Sequence, residues 1–182
     1  MKDSFRKVVF IWILMMMSLH VSLIAQQEFS LENNPKLVVS GTSSLHDWEM
    51  VSNSARGSAL LTLSNGKITR MDSAKISMEV KTLKSGKGGM DNNAYKALDA
   101  DKNPSITFTL KEASKQGNRW MASGNLEMAG TTKAVRFKIQ TAMEGSKVKI
   151  SGKTNFKLTD FGVEPPTAVF GTIKTGDEVS LW

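Results

Sequence analysis

A repeat of two residues, polar then apolar, constrains this chain more than any other feature of its sequence. Over residues 75–80, Ile76, Met78 and Val80 alternate with Lys75, Ser77 and Glu79, and Lys81 continues the polar side. Ile106, Phe108 and Leu110 alternate in the same way with Ser105, Thr107, Thr109 and Lys111, as do Val135, Phe137 and Ile139 with Arg136, Lys138 and Gln140. Val148 and Ile150, set against Lys147, Lys149 and Ser151, lead on toward Phe156 and Leu158. Successive side chains of a strand point to opposite faces, so the pattern predicts strands with one face buried and one in water.

Weaker runs of the same kind cover residues 37–40, 46–51, 57–63, 120–128 and 178–182. Glycine turns punctuate them at Asn65-Gly66, Gln116-Gly117-Asn118, Gly130 and Gly145, which predicts antiparallel pairing. One exception lies between Met90 and Pro104, where Asp91 is placed to cap a short helix carrying Ala94, Tyr95, Ala97 and Leu98. Eight or so strands in one domain over residues 37–182 must manage their edges, and the expected solution is a closed antiparallel barrel with one helical insert. Such a barrel holds either its own side chains or one small ligand. An outer-membrane barrel fits less well, because the runs are mostly five to seven residues long and there is one tyrosine.

The chain opens with Lys2, Arg6 and Lys7, followed by an apolar run over residues 8–24 and a polar break at Gln26-Gln27-Glu28. This is the layout of a secretory signal peptide covering residues 1–25, with cleavage expected after Ala25 and a periplasmic or secreted destination. Residues 26–36, with Asn33-Asn34-Pro35, read as a flexible lead. With Lys2, Arg6, Lys7 and Asp3 set aside, the net charge falls from +7 to +5. Cysteine is absent from all 182 residues, which excludes disulfides, thiolate metal sites and cysteine nucleophiles. The remaining fold must rest on its hydrophobic core.

Catalytic chemistry finds little support. Beyond residue 25 the one histidine is His46, in Ser43-Ser44-Leu45-His46-Asp47-Trp48, and no Gly-x-Ser-x-Gly elbow accompanies it. His46, Trp48 and Met50 share a strand face, which places the histidine near the mouth of an apolar interior. Gly152-Lys153-Thr154 imitates the end of a phosphate-binding loop, but Lys147 stands where the first glycine is required. Asp99, Asp101 and Asn103 have calcium-loop spacing, yet Pro104 and Leu110 occupy the positions for the turn glycine and the bidentate glutamate. Lys84-Ser85-Gly86-Lys87-Gly88-Gly89 could meet an anionic head group through backbone amides. The lysines fall singly on alternate strand positions, so nucleic acid is not an expected partner. No cofactor is implied.

Four motifs occur in order: Lys102-Asn103-Pro104-Ser105-Ile106-Thr107-Phe108, Gly124-Asn125-Leu126-Glu127-Met128-Ala129-Gly130-Thr131-Thr132-Lys133-Ala134-Val135, Thr159-Asp160-Phe161-Gly162-Val163 and Gly176-Asp177-Glu178-Val179. In this the chain resembles the YceI-like family of secreted bacterial proteins. The resemblance implies a lipocalin-like barrel whose elongated interior holds polyisoprenoids or similar amphiphiles. Of the Arg-Asp pair that many members carry near Gly88-Gly89-Met90-Asp91, only Asp91 corresponds, and Ser43 to Trp48 looks like a subgroup feature.

The expectation is therefore a non-enzymatic binding protein for a long-chain isoprenoid or fatty amphiphile, without membrane insertion once the signal is removed, and with a homodimer left open. Trp48, Met50, Met78, Phe108, Phe137, Phe156 and Phe161 would supply walls, Tyr95 and Leu98 would close an end, and His46 would meet the head group. The competing expectation is an interaction or stress-protection module whose barrel is filled by its own side chains. Interior volume separates the two: without a cavity of at least roughly 300 Å³, the filled module is the expected reading.

Overall fold

The alternating runs become strands of one strongly curled antiparallel sheet in the computed structural model, which describes residues 24–32 and 35–182. The first strands are β1 (Ile24–Ser30), β2 (Leu37–Ser43), β3 (Trp48–Ser52), β4 (Arg56–Ser64) and β5 (Lys67–Glu79). A 3₁₀ turn (Val80–Thr82) and helix α1 (Gly88–Ala97) then interrupt the sheet. It resumes with β6 (Ser105–Gln116), β7 (Arg119–Met128), β8 (Thr131–Glu144) and β9 (Lys147–Lys157). After a second 3₁₀ turn (Leu158–Phe161) come the two-residue β10 (Thr167–Ala168) and β11 (Ile173–Leu181).

The neighbour order is β1-β4-β5-β6-β7-β8-β9-β11-β2-β3, with β10 paired to β11 off this path. β1 and β3 are its two ends and do not pair with each other, so the expected closed barrel is corrected to an open half-barrel of ten strands. The reason lies in how the seam is filled. β3 is five residues long, and its free side takes one bridge, between Val51 and Lys84, from the segment leading into α1. Helix α1 then lies over the interior beside Met50 of β3. Period two reports which side chains face inward, but it carries no information on whether the first and last strands meet.

Residues 26–30, read as part of a flexible lead, belong instead to β1, which runs along β4 from Ile24 opposite Ser64 to Ser30 opposite Ser58. One apolar side chain, Phe29, faces the core there, and the open side of β4 supplies what the local pattern lacks. The expected cleavage point after Ala25 falls within β1. Residues 1–23, most of the expected signal peptide, lie outside the described residues, as do Asn33 and Asn34. Helix α1 begins three residues before Asp91, which sits in its first turn and does not cap it.

Strands are also longer than the runs that announced them, with 13 residues in β5 and 14 in β8. The outer face is nonetheless charged: Lys133, Arg136, Lys138, Lys149 and Lys153 are exposed on β8 and β9, where a lipid-facing barrel would carry an apolar band. Gly152-Lys153-Thr154 lies inside β9, as the alternation requires.

Candidate functional site

The curled sheet gathers its apolar faces into two clusters. The larger contains Met50, Met78, Leu98, Leu126, Met128 and Phe161, with Trp48, Tyr95, Phe108, Phe137 and Phe156 packed against it. Within it lies a cavity of about 100 Å³ between the sheet and α1, and the wall it presents is apolar throughout.

Local sequence explains how Trp48 reaches that wall. The Ser43 hydroxyl donates to the His46 carbonyl at 2.6 Å and accepts the His46 N–H at 3.2 Å, which folds the loop between β2 and β3. Trp48 then pairs with Gly41, and a Cβ there would stand 2.6 Å from the indole ring. Glycine at 41 lets the ring lie across β2, and the indole N–H donates to the Thr42 carbonyl at 2.9 Å. Trp48 also borders an open, polar cleft of about 600 Å³ on the outside, beside Asp47, Glu49 and Glu178. Its ring therefore stands between interior and solvent.

Helix α1 is held over the cavity by polar contacts outside it. The Tyr95 hydroxyl lies 2.6 Å from the Leu83 carbonyl and accepts from Lys84 Nζ at 2.7 Å. The buried Asp91 carboxylate accepts from the Ser85 N–H at 2.8 Å and from the Ser85 hydroxyl at 2.7 Å. The Ser85 hydroxyl above all, then the Ser85 amide and Lys84, hold its pKa below the usual carboxylate value against the opposing effect of burial. The loop over residues 84–89, considered for an external anion, thus already has one of its amides committed to an internal one. Asp101 and Asp99 are likewise engaged, by Lys81 at 2.7 Å and Lys102 at 3.1 Å.

Of the side chains expected from sequence, Trp48, Met50, Met78, Leu98 and Phe156 line the cavity. Phe108 and Phe137, outside the lining, stack edge to face with centroids 5.1 Å apart, and Phe161 packs against Phe156 at the same distance. Tyr95 braces the helix outside the cavity. His46 is exposed, with Nδ1 2.7 Å from the Asp47 carbonyl, and does not reach the interior. Sequence reasoning missed Val39, Leu126, Met128, Val179 and Leu181 in the wall. Leu126 and Met128 were detectable, since every second residue from Trp120 to Met128 is buried.

The family motifs turn out to shape the backbone around the site. Gly124 lies beneath the Phe108 ring, where a Cβ would come within 2.6 Å. Ala129 and Gly130 form the left-handed turn between β7 and β8. Asp177, at a bulge in β11, accepts from the Thr159 N–H at 2.9 Å and the Thr159 hydroxyl at 2.7 Å, tying β11 to the 3₁₀ turn below Phe156.

Among solved structures, the fold is similar to that of Burkholderia cenocepacia BcnA, with a TM-score of 0.68 and 18% identity over 80% of this chain and 91% of that one. It is also similar to a polyisoprenoid binding domain from Saccharophagus degradans implicated in plant cell wall breakdown, with a TM-score of 0.59 and 11% identity over 86% and 98% of the two chains. A Campylobacter jejuni YceI protein matches with a TM-score of 0.50 and 21% identity over 60% and 68%. No curated protein matches the chain. The model of the YceI-like domain matches residues 29–182, and with the fold and the four motifs in agreement the chain belongs to the YceI-like family.

Proposed function

We propose that this protein binds a long-chain isoprenoid or fatty amphiphile in the interior between the sheet and α1, and that it does so in the periplasm or outside the cell after loss of residues 1–25. The observation that carries the reading is the apolar wall of the cavity, continuous from Trp48 at the solvent side to Leu126 and Met128 beneath the helix. The chemistry required is transfer of hydrocarbon from water. Roughly 0.8 kcal/mol per buried methylene offers about 8 kcal/mol gross for ten carbons, before ordering costs. No covalent step is needed, and the protein acts as a carrier.

At about 100 Å³ the cavity is smaller than a chain of that length demands, and smaller than the roughly 300 Å³ of ordinary ligand pockets. Entry therefore requires the wall to yield. Met50, Met78 and Met128 supply unbranched, adaptable side chains in the wall. Ala94 and Ala97 present α1 to the cavity with little bulk, so a small outward shift of the helix enlarges it. His46 would meet a head group only at the mouth beside Trp48. A second copy of the chain would add most readily at β1 or β3, the free edges of the sheet.

The same small volume favours the second reading, a module filled by its own side chains that meets partners through its surface. Mass spectrometry of an organic extract from protein purified out of its native envelope decides between them. A co-purifying amphiphile at near one copy per chain is the expected result, and repeated absence of any lipid would leave the filled module standing.

A further inference from the structure

One hairpin carries bulky residues in a conformation that the other turns give to glycine, asparagine, aspartate or alanine. Between β10 and β11, Val169, Phe170 and Gly171 adopt successive left-handed conformations, with φ of 49°, 53° and 85°. A β-branched or bulky residue is strained there, which is why such positions favour glycine or asparagine. The turn at Asn65-Gly66 meets the same demand with the favoured residues. Val169 is 61% exposed and Phe170 fully so, and burial within the molecule does not offset the strain. Local rules broken without an internal gain mark positions whose side chains serve something outside the fold.

The hairpin is nevertheless firmly built. The Thr172 hydroxyl donates to the Val169 carbonyl at 2.7 Å, and the Gly171 N–H donates to the Ala168 carbonyl at 3.1 Å. It is also tied to the loop between β2 and β3. The Ser44 N–H donates to the Lys174 carbonyl at 2.9 Å, and the Lys174 N–H donates to the Ser44 hydroxyl at 3.0 Å. Leu45, next in the chain, is 65% exposed. Trp48, three residues beyond Leu45, and Pro166 and Thr175, on either side of the hairpin tip, line the cavity.

The exposed charges near these tips are not basic in sum, with Lys174 against Asp47 and Glu164. Attraction to an anionic surface therefore does not account for them. Apolar side chains held on projecting turns, beside the mouth of an apolar cavity, match the interfacial region of a lipid bilayer, which receives such groups without a shaped pocket. We propose that Leu45, Val169 and Phe170 insert into a bilayer and bring the mouth beside Trp48 to the membrane surface. The use of this docking, exchange of ligand between bilayer and cavity, rests on the binding reading above.

Because the chain lacks cysteine, single cysteines can be placed at will. Phe170→Cys and Leu45→Cys, each carrying an environment-sensitive fluorophore, are compared with Asn118→Cys on the exposed turn between β6 and β7. The full chain is mixed with phosphatidylcholine vesicles, with and without phosphatidylglycerol. The expected result is a blue shift and quenching by lipid-borne quenchers at 170 and 45, on both vesicle types and at high salt, with water-like emission at 118. Water-like emission at all three sites overturns the proposal, and so does an equal response at all three. Phe170→Asn, which suits the left-handed backbone, should keep the fold and slow transfer of a fluorescent isoprenoid from vesicles at least tenfold. Its uptake from solution should be unchanged. If transfer from vesicles is equally fast, docking fails while binding stands; if wild type takes up no isoprenoid yet site 170 inserts, the binding reading fails and docking stands.

Discussion

The two apolar clusters are built from the same strands and end differently. Strands β5 to β9 contribute Met78, Phe108, Leu126, Phe137 and Phe156 to the cluster under α1, and Met71, Leu110, Trp120, Ile139 and Val148 to the other. In the second cluster Trp120 is buried and Phe29 of β1 packs against the cluster. In the first, the cover is a helix that turns Ala94 and Ala97 toward the interior, and a cavity remains. The strands supply equivalent surfaces, so whether an interior is filled or hollow depends on the element laid over the open side.

Removing the plug is the strongest way to break this comparison. Trp120→Ala should destabilise the fold by about 3–5 kcal/mol in urea unfolding, and the variant, where folded, should take up a fluorescent isoprenoid as wild type does. Loss of uptake in folded protein would show that the two clusters act as one interior.

Loosening the cover comes next. Asp91→Ala strands the Ser85 N–H and should cost about 1–3 kcal/mol, read as faster amide exchange in α1 with β6 and β7 unchanged. Acid should mimic it. The Asp91 pKa is depressed in the folded protein, so its contribution is complete above the unfolded carboxylate value near about 4 and is lost as pH falls through that value toward the folded one. Protection in α1 should fall below about pH 4 ahead of protection in the sheet.

Filling the hollow sharpens the contrast from the other side. Ala97→Leu places bulk in the cavity and should weaken isoprenoid uptake about tenfold, equivalent to about 1.4 kcal/mol, with the melting temperature little changed. An unchanged affinity would move the ligand elsewhere. The smallest effect is expected at His46, whose exposed ring contacts its neighbour's carbonyl: His46→Ala should alter stability by no more than about 0.5 kcal/mol. Isoprenoid affinity should be the same for wild type and variant. A loss of affinity in the variant would restore the head-group role.

Alternation identified Met78, Phe108, Phe137 and Phe156 as inward-facing because a buried face imposes period two on any strand. It was silent where a bulge resets the count. Asp72 is an extra residue in β5, so Met71 and Met78 share a face although an odd number of positions separates them. Lys111 does the same in β6 for Leu110 and Ala113. His46 was placed at the mouth by counting from Trp48, but the strand begins only at Trp48 and the count does not extend into the loop.

From the sequence alone came the all-β class, the inward side of most strands, the helical insert and the family. Each of these follows from local pattern or from glycine and aspartate motifs that a turn or bulge requires wherever it occurs. Tertiary structure alone decided that β1 joins β4, that β3 and β1 leave the sheet open, that α1 lies over the cavity, and that the loop after β2 is tied to the hairpin before β11 through Ser44 and Lys174. Those outcomes are set by which surfaces remain uncovered once every strand has paired, and that depends on the whole chain at once.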